Sequence, residues 1–182
     1  MYTQNLAEPQ SSMIIREARP TEAPALTEIA FAAKRYWGYS DAAMAQWTRT
    51  LTVSARSIAR NPTWVAADAT DRSLGFCMVW TDGRAWELEH LWVAPASIRR
   101  GIGKALLSTA LQFARARGAD SLRIDADPNA EGFYLACGAR RIGMVAGPIP
   151  EDSNRMRPIL VIDLGSPNQD AGTNPGLPSS TT

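Results

Sequence analysis

Little in this sequence belongs to the chemistry of metals, disulfides or membranes. Its 182 residues hold one histidine, His90, and two cysteines, Cys77 and Cys137. A zinc site or a histidine-based triad needs several such side chains, so neither is expected, and no metal is. Each cysteine sits in an apolar stretch, "GFCMV" and "YLACG", as buried reduced thiols do. There is no run of about 18 apolar residues to span a bilayer. The opening "MYTQNLAEPQSS" lacks the basic start and apolar centre of a signal peptide. Charge of one sign is lacking too: 19 basic and 18 acidic residues give a formal net charge of +1. That balance provides no global attraction to nucleic acid or an anionic membrane, so local charge must select any partner. A cytoplasmic protein with neither kind of partner is the expectation.

What is present is ordinary globular material, 45% hydrophobic and 20% charged. Residues 1–12 and 166–182 are polar or rich in Pro, Gly, Ser and Thr, and are expected to be disordered tails around one domain over 13–165. Inside it the apolar period switches repeatedly. "MIIREA" reads as a strand. "RPTEAPALTEIAFAAKRYW" reads as a helix with Thr21 as N-cap, and Ser40 or Asp41 can cap a second helix. Residues 51–60 show no clear pattern. "TWVAADA", "SLGFCMVWT" and "AWELEHLWV" form an antiparallel meander. A helix begins near Gly101 with Leu106, Leu107, Ala110 and Ala114 on its stripe. "SLRIDA", a short helix entered through Pro128, and two closing strands complete the order β-α-α-β-β-β-α-β-α-β-β. It implies an α/β (α+β) fold, a mixed and mostly antiparallel sheet with helices on both faces.

The stretch "IRRGIGKALL" combines glycines with Arg99, Arg100 and Lys104 at a helix start. Backbone N–H groups there lack intrahelical partners and favour an anion, and glycine lets a phosphate come close. A plain strand-to-helix turn is the alternative. Two familiar phosphate loops do not fit. A Walker loop has a Gly and a Ser or Thr where this chain has Ile98 and Ala105, and a dinucleotide fingerprint has a third Gly where it has Leu106.

The segment "LEHLWVAPASIRRGIGKALL" resembles the acetyl-CoA-binding stretch of the GCN5-related N-acetyltransferase (GNAT) family, in which V-x-P ends a strand and Q/R-x-x-G-x-G/A opens a helix. "DADPNAEGFYLACGARRIG" resembles that family's second motif through Asn129, Phe133 and Tyr134, and the element order is the family's too. Ile98 departs from the usual Gln or Arg, and Gly138-Ala139 from the usual Gly-Phe. The resemblance implies an acetyl-CoA-dependent N-acetyltransferase, with a small-molecule amine or a peptide N-terminus as acceptor and a homodimer as one common assembly. Leu91, Trp92, Val93, Arg99, Arg100, Gly101, Ile102, Gly103, Lys104, Asn129 and Phe133 would bind the cofactor. Strands are expected to splay beside Leu91, leaving an amide near Trp92 or Val93 for the thioester carbonyl.

Strict alternation along "AWELEHLWV" places Glu87, Glu89, Leu91 and Val93 on one face and Trp86, Leu88, His90 and Trp92 on the other. Two carboxylates on one face need water or a cationic partner. An ammonium substrate that must lose a proton before attacking accounts for them, and the resemblance puts both where family members carry the base or its water-chain partners, with Glu89 favoured and Glu87 next. A salt bridge to an arginine such as Arg123 is the alternative for either. His90 is expected to be structural. The resemblance makes Tyr134 the general acid for the leaving thiolate, a buried structural tyrosine being the alternative. It also makes the segment between the first two helices the acceptor wall, with Tyr36, Trp37, Tyr39 and Asp41 as candidates; Trp37 and Trp47 could equally be core. Direct transfer in a ternary complex is expected, since neither cysteine has an adjacent base. A non-catalytic acyl-CoA sensor, or an acyltransferase using another acyl donor or a hydroxyl acceptor, are the competing readings.

Overall fold

The computed structural model describes residues 13–165, and the tails expected on either side lie outside the described residues. The strands are β1 (Ile14–Glu17), β2 (Thr63–Ala67), β3 (Ser73–Thr81), β4 (Trp86–Val93), β5 (Ser121–Asp125), β6 (Arg140–Ala146) and β7 (Met156–Asp163). They form one sheet in the order β1-β2-β3-β4-β5-β7-β6. Every neighbouring pair is antiparallel except β4 and β5. That parallel pair is connected through helix α5 (Ile102–Ala116), as parallel strands need a crossover.

Helices cover both faces, as the element order implies. On one face α5 buries Leu106, Leu107, Ala110 and Ala114 among Trp64, Cys77, Val79, Leu88, Leu122 and Leu160. The short helix α6 (Glu131–Ala136) adds Tyr134 to the same cluster. On the other face α1 (Ala23–Arg35) sets Leu26, Ile29 and Ala30 against Val65, Phe76 and Met78. The three short helices α2 (Asp41–Gln46), α3 (Thr48–Leu51) and α4 (Ala55–Arg60) contribute Met44, Leu51 and Ile58 to that second cluster.

Two local expectations are corrected. Thr21 does not cap α1: residues Pro20–Glu22 form a 3-10 turn and α1 starts at Ala23. The turn is fixed instead by Glu22, whose carboxylate takes both guanidinium nitrogens of Arg16 at 2.8 and 3.0 Å and the amide of Arg19 at 2.7 Å. The unassigned stretch 51–60 contains α4, capped by Ser54, whose hydroxyl accepts from the Ser57 amide at 2.9 Å. At α2 the cap is Ser40, accepting from Ala43 N at 3.1 Å, while Asp41 is the first helical residue.

Candidate active site

The site grows from a fault in the sheet. β4 pairs with β3 along its length, but with β5 only through Glu87 and Arg123. Beyond that pair the two strands part, as the resemblance implied. The Ala94 amide donates to Leu74 O at 2.8 Å. In an antiparallel ladder every second residue bonds the partner, so Trp92 and His90 also direct their peptide groups at β3. The N–H and C=O of Leu91 and Val93 therefore turn into the gap. Of the two positions expected to present an amide there, Val93 does so, while the amide of Trp92 belongs to the ladder.

A cavity of about 780 Å³ opens onto this gap. Leu91, Trp92, Val93, Arg99, Gly101, Ile102, Gly103, Lys104, Asn129, Phe133 and Tyr134 line it, joined by Tyr36 and Trp37. Two chain segments remote in sequence thus meet around one space. Its floor on the α5 side is a helix N-terminus. The first intrahelical bond runs from Ala105 N to Gly101 O at 3.0 Å, so the amides of Ile102, Gly103 and Lys104 have no partner within the helix. Gly101 reaches this geometry at φ 77°, which a side chain would resist, and Arg99 shares the left-handed region at φ 62°. Gly103 differs: a Cβ there would lie 3.4 Å from the Phe133 ring, an ordinary contact distance, so Phe133 packs over this glycine without crowding. Arg100 is exposed and outside the cavity lining.

The carboxylates behave differently from strict alternation. Val79 pairs with Leu88 and Met78 with His90, so Glu89 is an extra residue in β4, a β-bulge. The bulge reverses the phase. Trp86, Leu88, Leu91 and Val93 all pack toward the α5 cluster, whereas Trp92 joins the α1 cluster and His90 stacks on Phe76. Glu87, flanked by Trp86 and Leu88, lies on the opposite face from Leu91 and Val93. It is held by Arg123 at 2.9 Å, the ion pair that the sequence offered as its alternative role. Glu89 is exposed as a residue, yet partial burial of its carboxyl, and then the charge of Glu87, raise its pKa. Neither carboxylate lines the cavity. Burial pushes His90 down to about 4, and its Nδ1 accepts from Trp92 Nε1 at 3.1 Å, so it is a neutral imidazole orienting an indole. Burial raises the Tyr134 phenol, which is therefore kept protonated where it borders the cavity. Cys77 is pushed up to about 12 by burial and is no thiolate.

The acceptor-side candidates divide. Tyr36, 60% exposed, and Trp37 face the cavity, and the Trp37 ring lies 6.0 Å from that of Trp92. Asp41 is solvent-exposed, 3.9 Å from Arg35. Tyr39 turns away into a buried polar cluster that sequence reasoning missed. Its centre is Asp127, which takes Lys34 and Arg155 on Oδ2 and the amide of Asn129 on Oδ1 at 2.9 Å. The Tyr39 hydroxyl lies 2.9 Å from both carboxylate oxygens. A signal existed in Lys34, four residues after Ala30 on the buried stripe of α1, where a cation needs a partner. Among the described residues no group of three or more His, Cys, Asp or Glu side chains could hold a metal ion, and no helix is long and apolar enough to cross a membrane.

A gapped sheet, a basic helix N-terminus in the gap and a tyrosine opposite define a recognised class. Residues 24–139 match the model of the Acetyltransferase (GNAT) family, and the chain belongs to that family. Solved structures share the fold. A PaiA N-acetyltransferase from Thermoplasma acidophilum in complex with coenzyme A is 21% identical, with TM-score 0.69 over 84% of this chain and 99% of the other. The ribosomal-protein-S18-alanine N-acetyltransferase of Escherichia coli is 16% identical, with TM-score 0.66 over 89% and 100%. A phosphinothricin acetyltransferase from Sinorhizobium meliloti in complex with AcCoA is 21% identical, with TM-score 0.65 over 84% and 89%. Among curated protein sequences none matches the chain.

Proposed function

We propose that this chain transfers the acetyl group of acetyl-CoA directly to a primary amine, both substrates being bound together. The observation that carries the reading is the pair of peptide groups at Leu91 and Val93 that turn from β3 and have no strand partner among the described residues, in a gap that ends at the helix-start amides of α5. A pantetheine arm is an extended amide chain and fits the edge of β4 as an added strand would. A pyrophosphate fits the amides of Ile102, Gly103 and Lys104, with Arg99 and Lys104 supplying charge. Structural neighbours bound to coenzyme A or AcCoA support the same donor.

In this reading Glu89 takes a proton from the ammonium, directly or through water, with Glu87 tuning its charge. The freed amine nitrogen forms a bond to the thioester carbon while the C–S bond breaks, and the nitrogen gives its second proton to solvent to leave the neutral amide. The Val93 amide meets the carbonyl oxygen where negative charge develops. Tyr134 gives its phenolic proton to the departing sulfur and is reprotonated from solvent. Trp37 and Tyr36 form an acceptor wall suited to a cation by contact with ring faces. Most of the acceleration comes from holding the reactants in register.

The deciding experiment follows coenzyme A thiol release from acetyl-CoA across a panel of amines and peptide N-termini. Turnover with at least one is expected. Tight coenzyme A binding with no turnover across the panel would make the chain a sensor, and release with alcohols alone would make it an O-acyltransferase.

A further inference from the structure

Lys34, Tyr39, Asp127, Asn129 and Arg155 come from four separate parts of the chain and meet in one cluster, buried at Lys34, Asp127 and Arg155, half-buried at Tyr39 and exposed at Asn129. Lys34 belongs to α1, Tyr39 to the turn before α2, Asp127 and Asn129 to the turn after β5, and Arg155 to the turn before β7. The side chains of Lys34, Asp127 and Arg155 are 8%, 5% and 7% exposed. Burial opposes the charge on Asp127, but Lys34, the Asn129 amide and the Tyr39 hydroxyl outweigh it and hold the carboxyl below its usual range. Lys34 is enclosed by aromatic rings, its Nζ 4.0 Å from the centre of Trp47, 4.8 Å from Tyr39 and 5.5 Å from Trp37.

The cluster borders the cavity at two points. Trp37 lines it from the acceptor side, three residues after Lys34. Asn129 lines it from the side of Phe133 and Tyr134. The Asn129 carboxamide is also part of the cluster, donating to Tyr39 Oη at 3.1 Å and to Asp127 Oδ1 at 3.0 Å. Arg155 extends the tie to the turn between β6 and β7 by donating to Gly147 O at 2.9 Å. One carboxylate therefore spans the distance between the aromatic segment and the turn that leads into α6.

We propose that Asp127 is a positioning residue, holding the aromatic segment 35–47 against the turn at Asn129, so that acceptor recognition depends on it while coenzyme A affinity does not. The inference rests on the acetyltransferase reading for its acceptor, and on geometry alone for the tie itself.

The test compares the full chain with Asp127→Asn and Tyr39→Phe, the second of which removes one hydroxyl and keeps the ring. Three quantities are read: coenzyme A affinity by calorimetry, amide hydrogen exchange over 35–47, and kcat and KM for the amine turned over fastest by the unaltered chain. Asp127→Asn should keep coenzyme A affinity within about threefold. It should speed exchange over 35–47 at least tenfold and lower kcat/KM at least tenfold, chiefly through KM. Tyr39→Phe should move exchange and KM the same way by a smaller factor, and Lys34→Arg, which retains the cation, should stay within threefold of the unaltered chain. Unchanged exchange and KM in the two hydrogen-bond variants would overturn the proposal, as would a coenzyme A affinity that falls in step with acceptor KM. If Asp127→Asn does not fold, Tyr39→Phe decides. Failure of the unaltered chain to bind coenzyme A would remove the acetyltransferase reading instead, and the exchange measurement would still decide the tie.

Discussion

In the proposed mechanism Glu89 and Glu87 make opposite contributions, and pH profiles separate them. As base, Glu89 must be ionised, so the acid limb of kcat/KM follows its raised pKa. Glu87→Gln removes a neighbouring negative charge, eases ionisation of Glu89 and moves that limb to lower pH. Glu89→Gln should abolish the limb and slow turnover by about 10²–10⁴. A limb that stays in place in both variants would exclude the pair from proton transfer. Tyr134→Phe should slow transfer while coenzyme A affinity, measured by calorimetry, stays nearly constant; lost affinity would make the ring purely structural. His90 carries a stability prediction. Its folded pKa of about 4 lies below the ordinary value of 6.5, so the unfolded chain binds the extra proton between these values. Stability is then fully present above pH 6.5 and lost as pH falls toward 4, by up to about 3 kcal/mol. His90→Gln, which can still accept from Trp92, should flatten the difference between urea midpoints at pH 7 and pH 4.5. The roles open to single residues were legible in the chemistry of their side chains, but their faces were not. The apolar phase of β4 shifts from 86 and 88 to 91 and 93, and Trp92, apolar on the other face, conceals the shift.

Among the elements, α5 was the most legible because its stripe repeats over four turns, whereas α3 and α4, with 4 and 6 residues, are too short to show a period. Isolated helices of that length do not hold in water, and packing of Leu51 and Ile58 sustains them. The glycine loop also read correctly as a helix start, although the reasons for its two glycines differ. Gly101→Ala forces a side chain into the left-handed region at φ 77° and should cost roughly 1–2 kcal/mol by chemical denaturation. It should also weaken coenzyme A binding, because the amides of Ile102 and Gly103 are aimed by that turn. Gly103→Ala adds a methyl 3.4 Å from Phe133 without changing φ, and should leave stability within about 1 kcal/mol. Equal effects from the two substitutions would contradict this division.

At the scale of the whole molecule, two half-sheets, β1-β2-β3-β4 and β5-β7-β6, are joined by one registered pair and the helices that straddle them. A donor lying in the gap touches both halves, so binding should stabilise the chain as a unit. At a coenzyme A concentration 100 times Kd the gain is about 2.7 kcal/mol, seen as a higher unfolding midpoint in one cooperative transition. The resemblance to the acetyltransferase family, and not the order of elements alone, announced the gap. It could not announce the Asp127 cluster, whose ion pairs join residues 93 and 28 positions apart, because separations of that size leave no periodic trace. The bulge at Glu89 links these scales. Replacing Glu89 by any residue leaves the count along β4 intact, so only the carboxylate is lost. Deleting it would remove the bulge, leaving His90, Leu91, Trp92 and Val93 on their present partners in β3 and in regular alternation with Leu88. Position 89 thus stands outside the ladder, and a chain one residue shorter there would keep the place where the donor lies and lose only the acid.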